Sequence, residues 1–320
     1  MFRLAKRHDI DTRANRDAYN DAMLEMMKTD DRIVHIDCDL AWCINATRIK
    51  EVFPERFFNA GIAEANAVGV ACGLAATGMI PYVHSFGVFA SRRVFDQVFL
   101  SAGYSERAIH IIGSDPGVTA AFNGATHMPL EDCGLYLNMP NAIVMDPCDY
   151  AQTYALTRKS ATAKSLTYMR LIRRTFTTVY EDGSDFEIGK GVVLKEGKDV
   201  TIVASGIMVC NALTASELLK EQGIEAEVID MHTWKPLDEE LLLKSVGKTG
   251  AIVTAENHEV NTGLGSAIAN VLASKHPVPQ EFIGIHNRYG MVGSQDYLEK
   301  EFNMKPENIA EAAIKAIGRK

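Results

Sequence analysis

The sequence predicts a two-domain α/β protein. Three observations carry this reading. Short, β-branched apolar runs alternate with longer helical patterns through the first half. A polar, glycine-rich stretch then interrupts them, and a second alternation follows it.

In order, Arg32–Asp37, Ile80–Phe86, Ile109–Gly113, Ile143–Met145 and Leu166–Leu171 read as strands, most of them bounded by Asp, Gly or Pro. Helical patterns lie between them at about Arg13–Lys28, Ala63–Thr77, Phe89–Ala102 and Tyr150–Ala161. This alternation calls for a mostly parallel sheet. Thr177–Lys198 turns polar and contains Gly183, Gly189, Gly191 and Gly197, as expected for a connection. Beyond it, Val200–Ala204, Ala226–Asp230, Ala251–Thr254 and Phe282–Ile285 read as strands, and Met208–Gln222, Asp238–Val246, Gly263–Ser274 and Ile309–Ile317 as helices. Asp238, after Lys235-Pro236-Leu237, is the expected N-cap of its helix.

The 320 residues suffice for two domains, and 47% hydrophobic with 23% charged residues is ordinary for a globular protein. A net charge of -8 argues against broad nucleic-acid binding, although Arg170-Leu171-Ile172-Arg173-Arg174 could hold a small anion. Met1–Asp17 is polar and does not read as a signal peptide, and no apolar run reaches the ~20 residues a membrane helix needs. The six cysteines show no CxxC spacing and no zinc-ligand pattern. They are expected to be reduced, mostly buried thiols of a cytoplasmic protein. No G-x-G-x-x-G follows a strand and no Walker A motif occurs, so a Rossmann dehydrogenase has little support.

Glu64 stands out. It lies among small apolar residues, from Ala60 to Gly78, and such a carboxylate is costly to bury unless something pairs with it. Burial would raise its pKa and suit it to proton exchange near neutral pH. The alternative is an acid in the first turn of a core helix, favoured by the helix dipole. Gly69, Gly73 and Gly78 suggest that this helix packs closely against another backbone, since glycine is otherwise costly in a helix.

Three other stretches fall beyond the carboxyl ends of strands, where α/β sheets bind ligands. Asp37–Asn45 is one. His84–Phe89 is another, and within it Ser85-Phe86-Gly87-Val88-Phe89 could be a stacking platform for a planar ring, or core packing. Ser114–His127 is the third, and within it Asp115–His127 reads as a long, turn-rich loop of the kind that is often functional, with Glu131-Asp132 opening a helix after it. Arg170, Arg173 and Arg174 suit phosphate or carboxylate, or are surface arginines near the connection.

Taken together, these residues resemble the C-terminal half of transketolases, comprising the pyrimidine-binding and C-terminal domains. The resemblance runs through Phe58-Asn59-Ala60-Gly61-Ile62-Ala63-Glu64, Gly73-Leu74-Ala75-Ala76-Thr77-Gly78, Pro81-Tyr82, Ser85-Phe86, Phe89-Ala90, Asp96-Gln97, Gly124-Ala125-Thr126-His127, Leu130-Glu131-Asp132, Met139-Pro140-Asn141 and Tyr168–Arg173. It continues in Thr254-Ala255-Glu256-Asn257-His258, Gly263-Leu264-Gly265-Ser266-Ala267 and Arg288–Gly293. It implies a thiamine diphosphate pyrimidine-binding parallel-sheet domain at 1-176, a linker at 177-198 and a transketolase C-terminal-like α/β domain at 199-320. It implies transfer of a two-carbon ketol unit from a ketose to an aldose. Glu64 would hydrogen-bond the cofactor's aminopyrimidine and activate it, flanked by Phe86 and Phe89. His127 would contact donor hydroxyls, and Arg173 a substrate phosphate. Arg13 is a further candidate phosphate contact, and Cys43 stands where the family often has a phosphate-contacting serine.

Two positions depart from the family pattern. Asn123 replaces a usual acidic residue, and Asp115 stands near a usual phosphate-contacting histidine, where an aspartate repels phosphate. An altered, specialised anionic sugar is the expectation. The family binds the diphosphate and its Mg2+ (or Ca2+) through Gly-Asp-Gly and a later Asn, which this sequence does not contain. The implied arrangement is a split transketolase: an α2β2 heterotetramer whose N-terminal partner subunit holds most of the metal site, with no metal ligands here. The beta subunit of a 2-oxoacid dehydrogenase is the nearest alternative; a deoxyxylulose-phosphate synthase or a scaffolding subunit are others.

Overall fold

A computed structural model describes residues 2–320. The first half consists of β1 (Ile10–Ala14), α1 (Asn15–Thr29), β2 (Ile33–Asp37), α2 (Thr47–Val52), β3 (Phe57–Asn59), α3 (Glu64–Ala76), β4 (Ile80–Phe86), α4 (Gly87–Ser91), α5 (Phe95–Gln97), β5 (His110–Ser114), α6 (Asp132–Leu137), β6 (Ile143–Met145), α7 (Tyr150–Ser160), β7 (Thr167–Leu171) and β8 (Thr175–Thr177). The second half adds β9 (Val192–Lys195), β10 (Val200–Ala204), α8 (Met208–Glu221), β11 (Ala226–Asp230), β12 (Thr233–Lys235), α9 (Glu239–Thr249), β13 (Ile252–Glu259), α10 (Leu264–Lys275), β14 (Gln280–Ile285), α11 (Gln295–Glu301) and α12 (Pro306–Ile317).

The first sheet runs β12-β6-β7-β5-β4-β2-β3, and every pairing except β12 with β6 is parallel. The second runs β14-β13-β10-β11-β9, with only β9 antiparallel. The strands β2, β5, β7, β10 and β11 are buried along their whole length, as parallel strands covered on both faces must be. Asp149 and Asp238 cap α7 and α9, accepting from the backbone N–H of Gln152 and Leu241. Among the described residues, no helix is long and apolar enough to cross a membrane.

Several elements differ from the sequence expectation. Within the stretch 177–198, Val192–Lys195 forms an edge strand of the second sheet. The strand β12 comes from the second half of the chain but completes the first sheet by pairing with β6. The helix expected at Phe89–Ala102 begins at Gly87 and breaks into short α, 3-10 and π turns ending at Tyr104. Gly69, Gly73 and Gly78 make no close backbone approach: an added Cβ would meet nothing within 4 Å at any of them. Gly69 and Gly73 lie on an exposed side of α3, and Gly78 is exposed just past its end.

One hydrophobic core runs from α1 in the first half to α12 in the second, so the two sheets share a buried junction. Acids fill part of that junction. Burial pushes Glu256 up to about 8 and Asp230 up to about 7. Glu256 accepts from the N–H groups of Leu264 and Gly265 at the start of α10. Asp230 accepts from Tyr180 and Gln152, both at 2.6 Å, through the same oxygen. Both folded values exceed the ordinary carboxylate values near ~4, so the folded chain binds more protons than the unfolded chain between them. Stability is therefore fullest near pH 4 on this account and declines as pH rises to about 8. Urea denaturation from pH 5 to 8 checks this. Asp230→Asn keeps an oxygen toward both donors and is expected to flatten the part of the slope below pH 7; an unchanged slope would contradict it.

Candidate functional site

The carboxyl ends of β2, β4, β5 and β7 gather the sequence-predicted residues. Glu64 opens α3 and is 3% exposed. Its Oε1 accepts from the Ser85 hydroxyl at 3.1 Å, and its Oε2 from Nη1 of Arg93 at 2.9 Å. The cost of burying this acid is thus offset by a cation and a hydroxyl. Ser85 lies on β4 between His84 and Phe86, and strand alternation turns it to the opposite face from these two. Arg93 is 45% exposed and lays its guanidinium 4.1 Å above the Phe89 ring.

Phe86, Phe89 and His127 form a triangle of rings. The two phenylalanine centroids are 6.3 Å apart, and the His127 ring stands nearly perpendicular to both, at 5.5 and 5.4 Å. His127 closes a short 3-10 turn, Ala125–His127, and its Nδ1 is 2.9 Å from the Thr126 hydroxyl. The loop that delivers it is more structured than expected, with 3-10 turns over Gly117–Asn123 and a kink at Ala121. The loop is held from the second domain. The Asn257 side chain accepts from the N–H of Val118 and donates to the carbonyl of Pro116, each at 2.9 Å. At Gly117 (φ 50) a side chain would both strain the backbone and collide with Asn257.

Beside the rings lies a charged pair, Arg173 and Asp115. Arg173 follows β7, its Cζ 5.8 Å from the Phe86 ring centroid. Its Nε is 3.2 Å from Asp115 Oδ1. Asp115, at the end of β5, is 1% exposed and takes a positive φ of 59°. Burial pushes its carboxyl up, against the pull of Arg173 and Arg174. Cys43 packs with Phe86 and Val88 on the same side. Burial pushes its thiol up despite Arg173, so it remains an uncharged S–H. Next to this pair, fully buried, His84 bridges Asp37 (2.8 Å) and the Ser114 hydroxyl (3.0 Å).

Of the residues singled out from sequence, Glu64, Phe86, Phe89, His127, Cys43, Asp115 and Arg173 come together. Arg13 does not join them. Its guanidinium is taken by Asp11 (2.9 Å) and Asp182 (2.8 Å) and stacks 3.8 Å from the centroid of the Tyr150 ring. Arg16, in the first turn of α1, reaches the Cys43 carbonyl at 2.6 Å instead. Asn123 is exposed, just before Gly124. Arg170 is no anion site: it is fully buried in an ion pair with Asp132. Sequence reasoning placed His84 and Ser85 in a candidate stretch without giving either a role, and it missed Arg93, which the short turns after α4 bring to Glu64.

Comparison with known proteins adds the following. The family model for the transketolase pyrimidine binding domain matches residues 11–178, and that for the transketolase C-terminal domain matches residues 189–309. The chain is 47% identical, over 95% of each chain, to the 6-deoxy-6-sulfo-D-fructose transketolase subunit SqwH of Clostridium sp. strain MSTE9. It is 39% identical to a putative transketolase C-terminal section of Methanocaldococcus jannaschii, over 92% of this chain and 93% of that one. Among solved structures, a split gene transketolase described as an inactive beta4 tetramer superposes with a TM-score of 0.88 at 40% identity, covering 96% of this chain and 99% of that one.

Proposed function

The chain belongs to the transketolase family, with that family's pyrimidine-binding and C-terminal domains, and from this premise we propose that it supplies half of the active site of a two-subunit ketol transferase acting on a ketose with a terminal anionic group. The observation that carries the reading is the convergence of Glu64, Phe86, Phe89 and His127 at one sheet end. The boundaries proposed are 1-176, a linker at 177-198, and 199-320.

The residues fit a thiamine diphosphate pyrimidine. The Phe89 face already carries a flat cation, and that cation, Arg93, is exposed enough to move aside. When bound, the cofactor supplies the carbon nucleophile that takes up and releases the two-carbon unit. Glu64 holds or exchanges a proton with the pyrimidine ring, away from bulk water. Phe86 and Phe89 fix the ring plane. His127, standing against both, orients the hydroxyl groups of the donor. Arg173 and Cys43 face the donor's far end, where the likeness to the sulfo-sugar subunit supports a terminal sulfonate.

The diphosphate and its Mg2+ (or Ca2+) are assigned mainly to an N-terminal partner subunit. The exposed glycine side of α3, with Ile62 (77%) and Val70 (41%), and nearby Leu100 (50%) and Tyr104 (83%), offers that partner an apolar surface. The relative solved as an inactive tetramer of this kind of subunit is consistent with a site that one chain does not complete. The expected result is no ketol transfer by this chain with thiamine diphosphate and Mg2+, and transfer once the partner is added. Robust activity without the partner would refute the split.

A further inference from the structure

We propose that Asp115 sets which terminal charge Arg173 accepts, favouring a monoanion such as a sulfonate over a phosphate dianion. The inference rests on the ketol-transfer reading above and deepens it to a single residue.

Asp115 is held in place. It is 1% exposed, in a left-handed conformation, and followed by Pro116 and Gly117, which Asn257 clamps from the second domain. Its carboxylate is nonetheless unsatisfied. Neither oxygen accepts a hydrogen bond among the described residues, although Arg173 Nε is only 3.2 Å from one of them. A buried carboxylate without donors is costly, and side chains that carry such a cost cluster at binding sites. The groups that face it are Arg173 and Arg174 after β7, His84 on β4 and His127 on the loop. Cys43 adds no charge.

The consequence is a matter of charge count. Arg173 is the cation beside the Phe86 ring, and Asp115 cancels much of its charge. A sulfonate carries one negative charge at every working pH. A phosphate monoester carries close to two above its second pKa of about 6. At the effective dielectric of a protein surface, an extra negative charge roughly 5 Å from a carboxylate costs more than about tenfold in affinity. The orphan oxygens of Asp115 can instead accept a hydroxyl of the sugar, an interaction open to either donor.

The test uses the chain assembled with its partner subunit, thiamine diphosphate and Mg2+. The measurement is kcat/KM for 6-deoxy-6-sulfofructose divided by that for fructose 6-phosphate. The wild-type ratio is expected to favour the sulfonate at pH 7.5 and to fall toward pH 5.5, as the phosphate becomes monoanionic. Protonation of Asp115 acts in the same direction, because burial pushes its carboxyl up and the neutral acid no longer repels a second charge. Asp115→Asn is expected to lower the ratio at pH 7.5 by about tenfold or more. An unchanged ratio in an active Asp115→Asn complex overturns the inference while leaving ketol transfer intact. If that variant does not fold, a wild-type ratio independent of pH overturns it. Failure to transfer from any ketose overturns the functional reading, and this inference with it.

Discussion

Glu64→Gln, assembled with the partner subunit, is expected to lose about 10²–10⁴-fold in kcat/KM while keeping its fold. The two contacts of this carboxylate explain why the losses separate. Oε1 accepts from a serine hydroxyl and Oε2 from an arginine. A glutamine can turn its oxygen to Arg93 and its amide N–H groups to Ser85, because a hydroxyl both donates and accepts. Packing and hydrogen bonding are therefore conserved, and what disappears is the charge and the ability to share a proton. Arg93 is 45% exposed, so leaving it without an ionised partner costs little stability. The check is a pair of measurements, initial rates in the complex and thermal denaturation of the isolated variant. Near-wild-type rates would show that Glu64 is only a first-turn acid of α3. A large drop in both would show that it is a structural brace.

Much of the fold was legible because parallel strands leave a strong local signal. The strands Ile80–Phe86, Val200–Ala204 and Ala226–Asp230 were read at their observed bounds, since strands covered on both faces must be apolar throughout. The short edge strands were not. β12 is three residues long and completes a sheet built some ninety residues earlier, with its last residue opposite Val144. Nothing local in Thr233-Trp234-Lys235 encodes that partner. Site chemistry divides in the same way. Glu64 was conspicuous as a lone acid among small residues, and the platform as two aromatics around a glycine. The partners of Glu64 were silent, because Ser85 and Arg93 are ordinary residues whose meaning comes from where β4 and the turns after it place them. The Gly69, Gly73 and Gly78 pattern was read as tight packing within the chain, whereas it lines an open side. Sequence shows a run of small residues, but not whether any surface packs against it.

Arg170 was the residue least readable from sequence, and its replacement carries the largest expected stability effect. It sits on β7 with a fully buried side chain. Nε donates to Asp132 Oδ2 at 2.9 Å, Nη2 to the other Asp132 oxygen, and Nη1 to the Asn257 carbonyl at 3.0 Å. Asp146 lies 3.7 Å away, and the Trp234 ring 5.5 Å. One guanidinium thus balances acids of the first domain and binds a carbonyl of the second. Arg170→Met fills similar volume but leaves Asp132 and Asp146 buried without their cation, a loss expected to cost about 3–5 kcal/mol in chemical denaturation. That is a large share of the ~5–15 kcal/mol that holds a typical protein folded. Adding Asp132→Asn should recover part of the loss, since Tyr168 still donates to that side chain at 2.6 Å and one unpaired charge is gone. The double-variant arm separates two explanations. If the double variant is no more stable than Arg170→Met alone, the loss comes from the Asn257 carbonyl and packing rather than from the stranded carboxylates. A single variant within about 1 kcal/mol of wild type would sink the argument altogether. Because Asn257 also clamps Pro116 and Val118, a loosened junction should reach the loop that carries Asp115 and His127. The Arg170→Met complex is therefore expected to lose activity although Arg170 touches none of the site residues.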